Sequence, residues 1–452
     1  MPSRNTYGYV FYYDDWYGEW DIDQAFSTDD EGNFGFATDK EWIKVLTRSC
    51  NSAAHVITTL SHSLGEGETV IEYFFGVEIT NPQFQDLDVP IDYTVNDIFP
   101  APYHIAEVIK DGSDIFTNMT SDWRLPVWVF WDSLNTQYVN SFFGGYSING
   151  DPIIYINNKY GADDNWDEWD DFVILHEYAH NIIYCHGQMS PYAFGEHHME
   201  HPPDYQTNSS GLTNRKPDVA FNEGIATFLT GIIRGTHVFK DSIYGRYSPT
   251  CNMERPLPDA PFVYYQSFEG PSEPNPLYNG SQVEAAVFNG LWDLYDVVDD
   301  DNYYIGPILY GHNNDHNSST GWTGFDNIWD ILKNPDPRPD DPEHENCWNF
   351  YEFMDEWRKA GYPWNQTFED IFKAHNVPVF IPGDANHDGV VNVGDAVWLI
   401  NYALRQGPAP DPIESGDANC DNSVDVGDAT FMINAVFKGG PQPELCIEYR
   451  FN

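Results

Sequence analysis

Apolar and polar positions alternate through the first 80 residues. TYGYVFYY at 6–13 is an aromatic-rich run of period two, and DDEGNFGF at 29–36 reads as a turn entering a strand. HVITTL at 55–60 and VIEYFFGVEI at 70–79 keep the same habit. Period two puts successive side chains on opposite faces of a pleated strand, so residues 6 to about 80 read as strands of a β module. The bland alternative is a sheet belonging to the next domain.

After residue 80 the pattern mixes periods. APYHIAEVIKDGSDIF at 101–116 has helical spacing, while LPVWVFWD at 125–132 and DPIIYINN at 151–158 read as buried strands. DEWDDFVILHEYAHNIIYCHG, 167–187, is a long apolar helix, and AFNEGIATFLTGIIRG, 220–235, is a second one stopped by Gly235. VEAAVFNGLWDLYD, 283–296, is a third; Ser281 and Glu284 have capping-box spacing there, which reads Glu284 as a helix-start residue. The run NPDPRPDDPEHE at 334–345 is a polar loop, and NVPVFIPGD at 376–384 is a hinge into a new pattern. From Gly383 the chain repeats itself with a 33-residue period, GDANHDGVVNVGDAVWLINYAL and then GDANCDNSVDVGDATFMINAVF. The expected architecture is therefore multidomain: a β module at 1–80, an α+β domain at 81–378, a small all-α module at 379–440 and a tail at 441–452.

The helix at 167–187 carries the first chemistry. His176-Glu177-Tyr178-Ala179-His180 is HExxH, and residues i and i+4 share one helix face. Two imidazoles so placed can hold one zinc ion, with Glu177 beside them as general base toward a water on that ion. A catalytic zinc takes three protein ligands and keeps one position open. Glu223 in Phe221-Asn222-Glu223-Gly224-Ile225-Ala226, with 42 residues between it and His180, is the third candidate. HEYAH with a downstream NEGIA resembles the gluzincin superfamily of zinc peptidases, the clan of the thermolysin-like enzymes. The resemblance implies a zincin-like α+β fold, a single catalytic Zn²⁺ on His176, His180 and Glu223, and Glu177 as the base for peptide-bond hydrolysis. Two departures stand out. The interval to the Glu ligand is about twice the usual one, and Thr227 stands where an acidic partner of the zinc histidines is expected. The added loop, FGEHHMEHPPDYQ at 194–206, holds Glu196, His197, His198, Glu200, His201 and Tyr205. Tyr205 and His201 are candidates for stabilising an oxyanion, and a solvated loop or a second metal site is the alternative.

The repeat carries the second chemistry. Asp384, Asn386, Asp388, Asn392 and Asp395 fall at positions 1, 3, 5, 9 and 12 of a loop, with Gly389 at 6 and the Val390 carbonyl at 7. Asp417, Asn419, Asp421, Asp425 and Asp428 repeat them, with Ser423 at 7. This is the oxygen-ligand spacing of an EF-hand calcium loop, with Asp at position 12. Two such loops, each followed by one amphipathic helix, resemble a type I dockerin. That implies two Ca²⁺ ions and a cohesin-bearing scaffold or cell-surface protein as partner. Val393-Gly394 and Val426-Gly427 occupy positions 10 and 11, where dockerins of cellulose-degrading complexes usually carry Ser or Thr. That departure speaks against a cellulosomal partner and leaves a private cohesin, or a purely structural calcium staple, as alternatives. At the other end, STDDEGNFGF at 27–36 resembles the turn-and-strand signature of transthyretin-like or carboxypeptidase-regulatory-like β-sandwich modules.

Composition narrows the setting. The 452 residues suggest about three domains. Seventy-one acidic against 21 basic residues give a net charge of −50, which disfavours nucleic acid and anionic membrane surfaces as electrostatic partners. No apolar run is long enough to span a bilayer. Six cysteines (Cys50, Cys185, Cys251, Cys347, Cys420 and Cys446) form no CxxC pair, and Cys420–Cys446 is the preferred local disulfide. With sequons at Asn118, Asn208, Asn279, Asn317 and Asn365, they point to an extracellular or cell-surface location. The start, MPSRNTYGYV, reads without the apolar run of a signal peptide, and the expectation is that a secretion signal was removed before this numbering begins. The leading expectation is a secreted zinc metallopeptidase attached through its dockerin to a partner or surface. The alternative is a non-catalytic extracellular matrix or surface assembly protein that keeps a peptidase fold.

Overall fold

The computed structural model of the chain describes residues 6–14, 17–40, 42–58, 71–72, 74–80, 100–122, 126–132, 141–148, 151–158, 167–185, 202, 216–236, 280–295, 325–333, 349–444 and 446. The chain divides into two compact units, and the division falls inside two helices that contribute residues to both.

In the first unit, β1 (Tyr7–Asp14), β2 (Glu19–Ser27), β3 (Trp42–Arg48) and β6 (Phe74–Thr80) form an antiparallel sheet of order β2-β1-β3-β6. The alternation expected from the sequence sorts its faces. Val10, Ile43 and Val45 point inward against Phe26, Phe34 and Phe36. A second, mixed sheet has the order β5-β4-β7-β9-β8, from β4 (Ala54–Thr58), β5 (Ile71–Glu72), β7 (Val127–Phe130), β8 (Phe142–Ile148) and β9 (Asp151–Tyr155). β4, β7 and β9 run parallel, with β5 and β8 antiparallel at the edges.

The expected boundary at residue 80 does not follow these sheets. β4 and β5 lie within the first 80 residues, yet β4 pairs with β7, so these two strands belong to a sheet completed by later residues, while among the described residues β1, β2, β3 and β6 pair only with one another. The segment 29–36, expected to be a turn entering a strand, holds the turn but no strand, although Phe34 and Phe36 pack on the first sheet.

Helix α1 (Pro100–Thr120) buries Ile105, Val108, Ile109 and Phe116 and packs on β4. Gly112 lets it approach α2 (Asp171–Cys185) and α3 (Lys216–Arg234): a Cβ at 112 would lie 2.5 Å from Leu175 Cδ2 and 3.7 Å from Ile233 Cγ2.

The second unit contains α4 (Glu284–Tyr295), α5 (Phe325–Leu332), α6 (Phe350–Lys359), α7 (Gln366–Ala374), α8 (Val393–Arg405) and α9 (Val426–Lys438). Phe221, Phe350, Phe353, Trp357, Phe368 and Phe372 are all buried and make successive ring contacts. The hinge expected at 376–384 is not loose. Val377, Val379 and Phe380 are buried, and Phe380 meets Tyr351 with ring centroids 5.9 Å apart.

Candidate metal centre and calcium loops

Helix α2 starts where Asp170 accepts the Phe172 and Val173 N–H groups at 2.9 and 3.4 Å, an N-cap that satisfies two otherwise orphaned donors. Its apolar side chains, including Ile174, Leu175, Tyr178, Ala179, Ile182 and Ile183, are buried, so HExxH sits on a helix whose surface is mostly interior. α3 carries Pro217 in its first turn, a position without need of an amide donor, and ends at Gly235 with φ +61°.

The termini of α2 and α3 are fastened together. Asp171, the first residue of α2, accepts from Arg234, the last residue of α3, at 3.1 Å, and pairs through its other oxygen with His104 of α1, also at 3.1 Å. Burial would raise the Asp171 pKa, but the His104 hydrogen bond and charge, with those of Arg234, hold it below the ordinary carboxylate value.

On these helices His176, His180 and Glu223 each bring a ligand atom to within 4.8 Å of the others. The histidines are buried and Glu223 is half-buried. The two imidazoles meet edge-to-face at 4.8 Å between centroids, and Phe143 of the edge strand β8 lies against His180 at 6.4 Å. Glu177 is 7 % exposed between them in sequence. Buried Asp167 lies close enough to feel its charge. Burial first, then the charges of Asp170 and Glu177, push the Asp167 pKa up to about 6, against a hydrogen bond from the Ser141 hydroxyl at 2.6 Å. The donor set fits a zinc ion. Two neutral imidazoles and a carboxylate are borderline-soft and oxygen ligands of the kind zinc takes, and three of them leave a position open. Ligand atoms 2.0–2.2 Å from one tetrahedral ion stand about 3.4 Å apart, a closure of side-chain scale from the separation seen here.

Tyr205 and His201, with the rest of the 194–206 cluster except Pro202, lie outside the described residues. Sequence reading missed three neighbours of the centre. They are the Asp171 clamp, the Asp167–Ser141 bond, and a hydrogen bond from Thr227 to Glu284.

The candidate calcium residues of each loop are tied together by hydrogen bonds to its backbone amides. In the first loop Asp384 accepts the Asp388 and Gly389 N–H groups at 3.1 and 2.8 Å, and Asp395 accepts those of Asn386 and Asn392 at 3.2 and 2.8 Å. In the second, Asp417 accepts from Asp421 and Asn422 at 3.2 Å, and Asp428 from Asn419 and Asp425 at 3.1 and 2.8 Å. Gly389 has φ +83° and Asn422 φ +74°, so Asn adopts the left-handed turn in place of Gly. Asn392 and Asp425 cap α8 and α9, each in a reciprocal box with the Asp at position 12. Val390 and Ser423 stand at position 7, and the Val390 carbonyl accepts from Asn392 Nδ2 at 2.9 Å. Burial raises the pKa of Asp395 and Asp428. The amide hydrogen bonds oppose this, and the neighbouring carboxylates, Asp384 and Asp388 or Asp417 and Asp421, add to it. Like charges drawn together on prearranged oxygens fit a hard divalent cation. The expected disulfide, Cys420–Cys446, joins the second loop to the segment after α9.

Residues 382–437 match the family model of the dockerin type I domain. No curated protein matches the chain. The C-terminal module is thus a dockerin, a calcium-binding domain that supports attachment to a cohesin-bearing scaffold. Proteins that carry one are typically extracellular or cell-surface. Among the described residues no helix is long and apolar enough to cross a membrane.

Proposed function

We propose that the chain is an extracellular zinc metallopeptidase delivered to its place of action by a calcium-dependent dockerin. The observation that carries this reading is the convergence of His176, His180 and Glu223 on one point, with Glu177 adjacent in an HExxH helix. When bound, zinc supplies a Lewis acid that polarises a peptide carbonyl and lowers the pKa of a water at its open position towards about 7. His176 and His180, on one face of α2, and Glu223 of α3 would hold the ion. Glu177 takes the proton from the attacking water on a carboxylate oxygen and returns it to the departing amine nitrogen. The low exposure of Glu177 and both histidines strengthens each of these charge interactions.

The test is Glu177→Gln in the calcium-loaded full chain. Zinc content should stay at one per chain, and hydrolysis of a broad peptide library should fall at least about 100-fold, the usual worth of a positioned base. Equal turnover by the wild type and the variant sinks the mechanism; no turnover by either sinks the peptidase reading and leaves the dockerin standing.

A further inference from the structure

Thr227 lies one helical turn past Glu223 on α3, and a carboxylate from another helix reaches it. Residues i and i+4 share a helix face, so Thr227 lies on the Glu223 face of α3. Its hydroxyl donates to Glu284 Oε1 at 3.3 Å, across from α3 to the first residue of α4. Glu284 is 1 % exposed and Thr227 wholly buried. The two helices touch at the residue beside Glu223. A Cβ on Gly224 would stand 2.6 Å from the Val287 side chain and 3.1 Å from the Glu284 carbonyl oxygen. Only a glycine lets α4 press this closely, and that closeness brings the Glu284 carboxylate within reach of Thr227. The start of α4 is itself held. Gly280 N–H donates to the Asn376 carbonyl at 2.9 Å, where a Cβ would collide with the His375 carbonyl at 2.1 Å.

We infer that Glu284 is a positioning residue for the metal centre, fixing through Thr227 the turn of α3 that presents Glu223. The inference rests on the metal reading given above. A buried carboxylate that accepts a hydrogen bond from the ligand-bearing turn immobilises it, as groups that orient metal ligands do.

The experiment is zinc affinity, measured by competition with a chromogenic chelator on the calcium-loaded full chain. The variants are Glu284→Gln, Thr227→Val, Thr227→Ser, the Glu284→Gln Thr227→Val double, and Glu223→Gln. Each is checked first for wild-type circular dichroism. Glu284→Gln keeps shape and removes charge; Thr227→Val keeps shape and removes the hydroxyl. Each should weaken zinc binding about 10-fold, in the range typical of groups that support metal ligands. The double variant should lose no more than about the larger single effect, because both act through one bond. Thr227→Ser should restore near-wild-type affinity, which a role in packing alone would not produce. Wild-type affinity in Glu284→Gln and Thr227→Val, alongside a large loss in Glu223→Gln, overturns this inference and leaves the metal reading intact. A wild-type chain that binds no zinc overturns both.

Discussion

At the scale of single residues, a few small side chains decide whether the chemistry can assemble. Gly224 is the sharpest case, because two physical tendencies oppose each other there. Alanine is the better helix former by about 1 kcal/mol, so an exposed mid-helix Gly→Ala change stabilises. At 224 the added methyl meets Val287 at 2.6 Å, and forcing extra volume into a packed contact costs about 1–3 kcal/mol. The steric cost should win. Gly224→Ala is expected to lower the urea midpoint and to weaken zinc binding together, and a raised midpoint would show that α4 can yield at no cost. The residues read from the sequence fared unevenly for physical reasons. That His176 and His180 share a face was legible because a helix fixes the i, i+4 relation, and the structure brings Glu223 to within 4.8 Å of them. The contact of Glu284 was not legible, because S-x-x-E is also the spacing of a capping box, and local spacing carries no information about a hydroxyl 57 residues earlier in the chain.

Elements were legible wherever a period ran long enough. α2, α3 and α4 appear where helical spacing placed them, and the repeat's helices α8 and α9 begin within three residues of the expected AVWLINYAL and ATFMINAVF. Sheet membership was not legible. Alternation in HVITTL says that a strand has two faces, and nothing about whether its partner is β3 or, as found, β7 some 70 residues on. How α2 and α3 are aligned was also beyond the sequence, since it rests on the Asp171 carboxylate joining Arg234 and His104 from two other helices. This clamp has a definite pH dependence. The pKa of Asp171 is depressed in the folded chain, so its contribution is present above the unfolded carboxylate pKa of about 4 and is lost as pH falls through the lower folded value. Asp171→Asn should therefore cost about 2 kcal/mol at pH 7, the scale of a hydrogen-bonded charge, and progressively less below about pH 4. Denaturant titrations at pH 7 and pH 3 check it; an equal loss at both would mean that packing, and not charge, holds the helices.

At the scale of the molecule, the dockerin is built into its unit and is not hung from it by a free linker. Its first calcium loop touches the preceding helices: His387, at position 4, sits 3.4 Å from Glu369 of α7. Phe380, just before the loop, lies against Tyr351 of α6. α7 in turn is tied to α4, because buried His375 at its end shares a 2.7 Å contact with Asp293 and because Gly280 bonds to Asn376. From α4 the connection runs to Thr227 and the Glu223 turn. Carboxylates gathered in loop 1 repel one another until a cation neutralises them, so calcium binding adds folding free energy to whatever is packed on that loop. For a site bound at about 100 times its dissociation constant the gain is about 3 kcal/mol. Part of it should reach α7 and α4. In the metal-free full chain, adding calcium is expected to slow amide hydrogen exchange across residues 366–374 and 284–295 as well as within 382–437. Asp384→Ala, which removes a loop-1 ligand, should abolish the slowing outside the dockerin while leaving that of the second loop. Glu369→Gln should reduce it without touching calcium affinity. Exchange that slows only within 382–437 would show that the dockerin takes up calcium independently, and that its contacts with α6 and α7 carry no coupling.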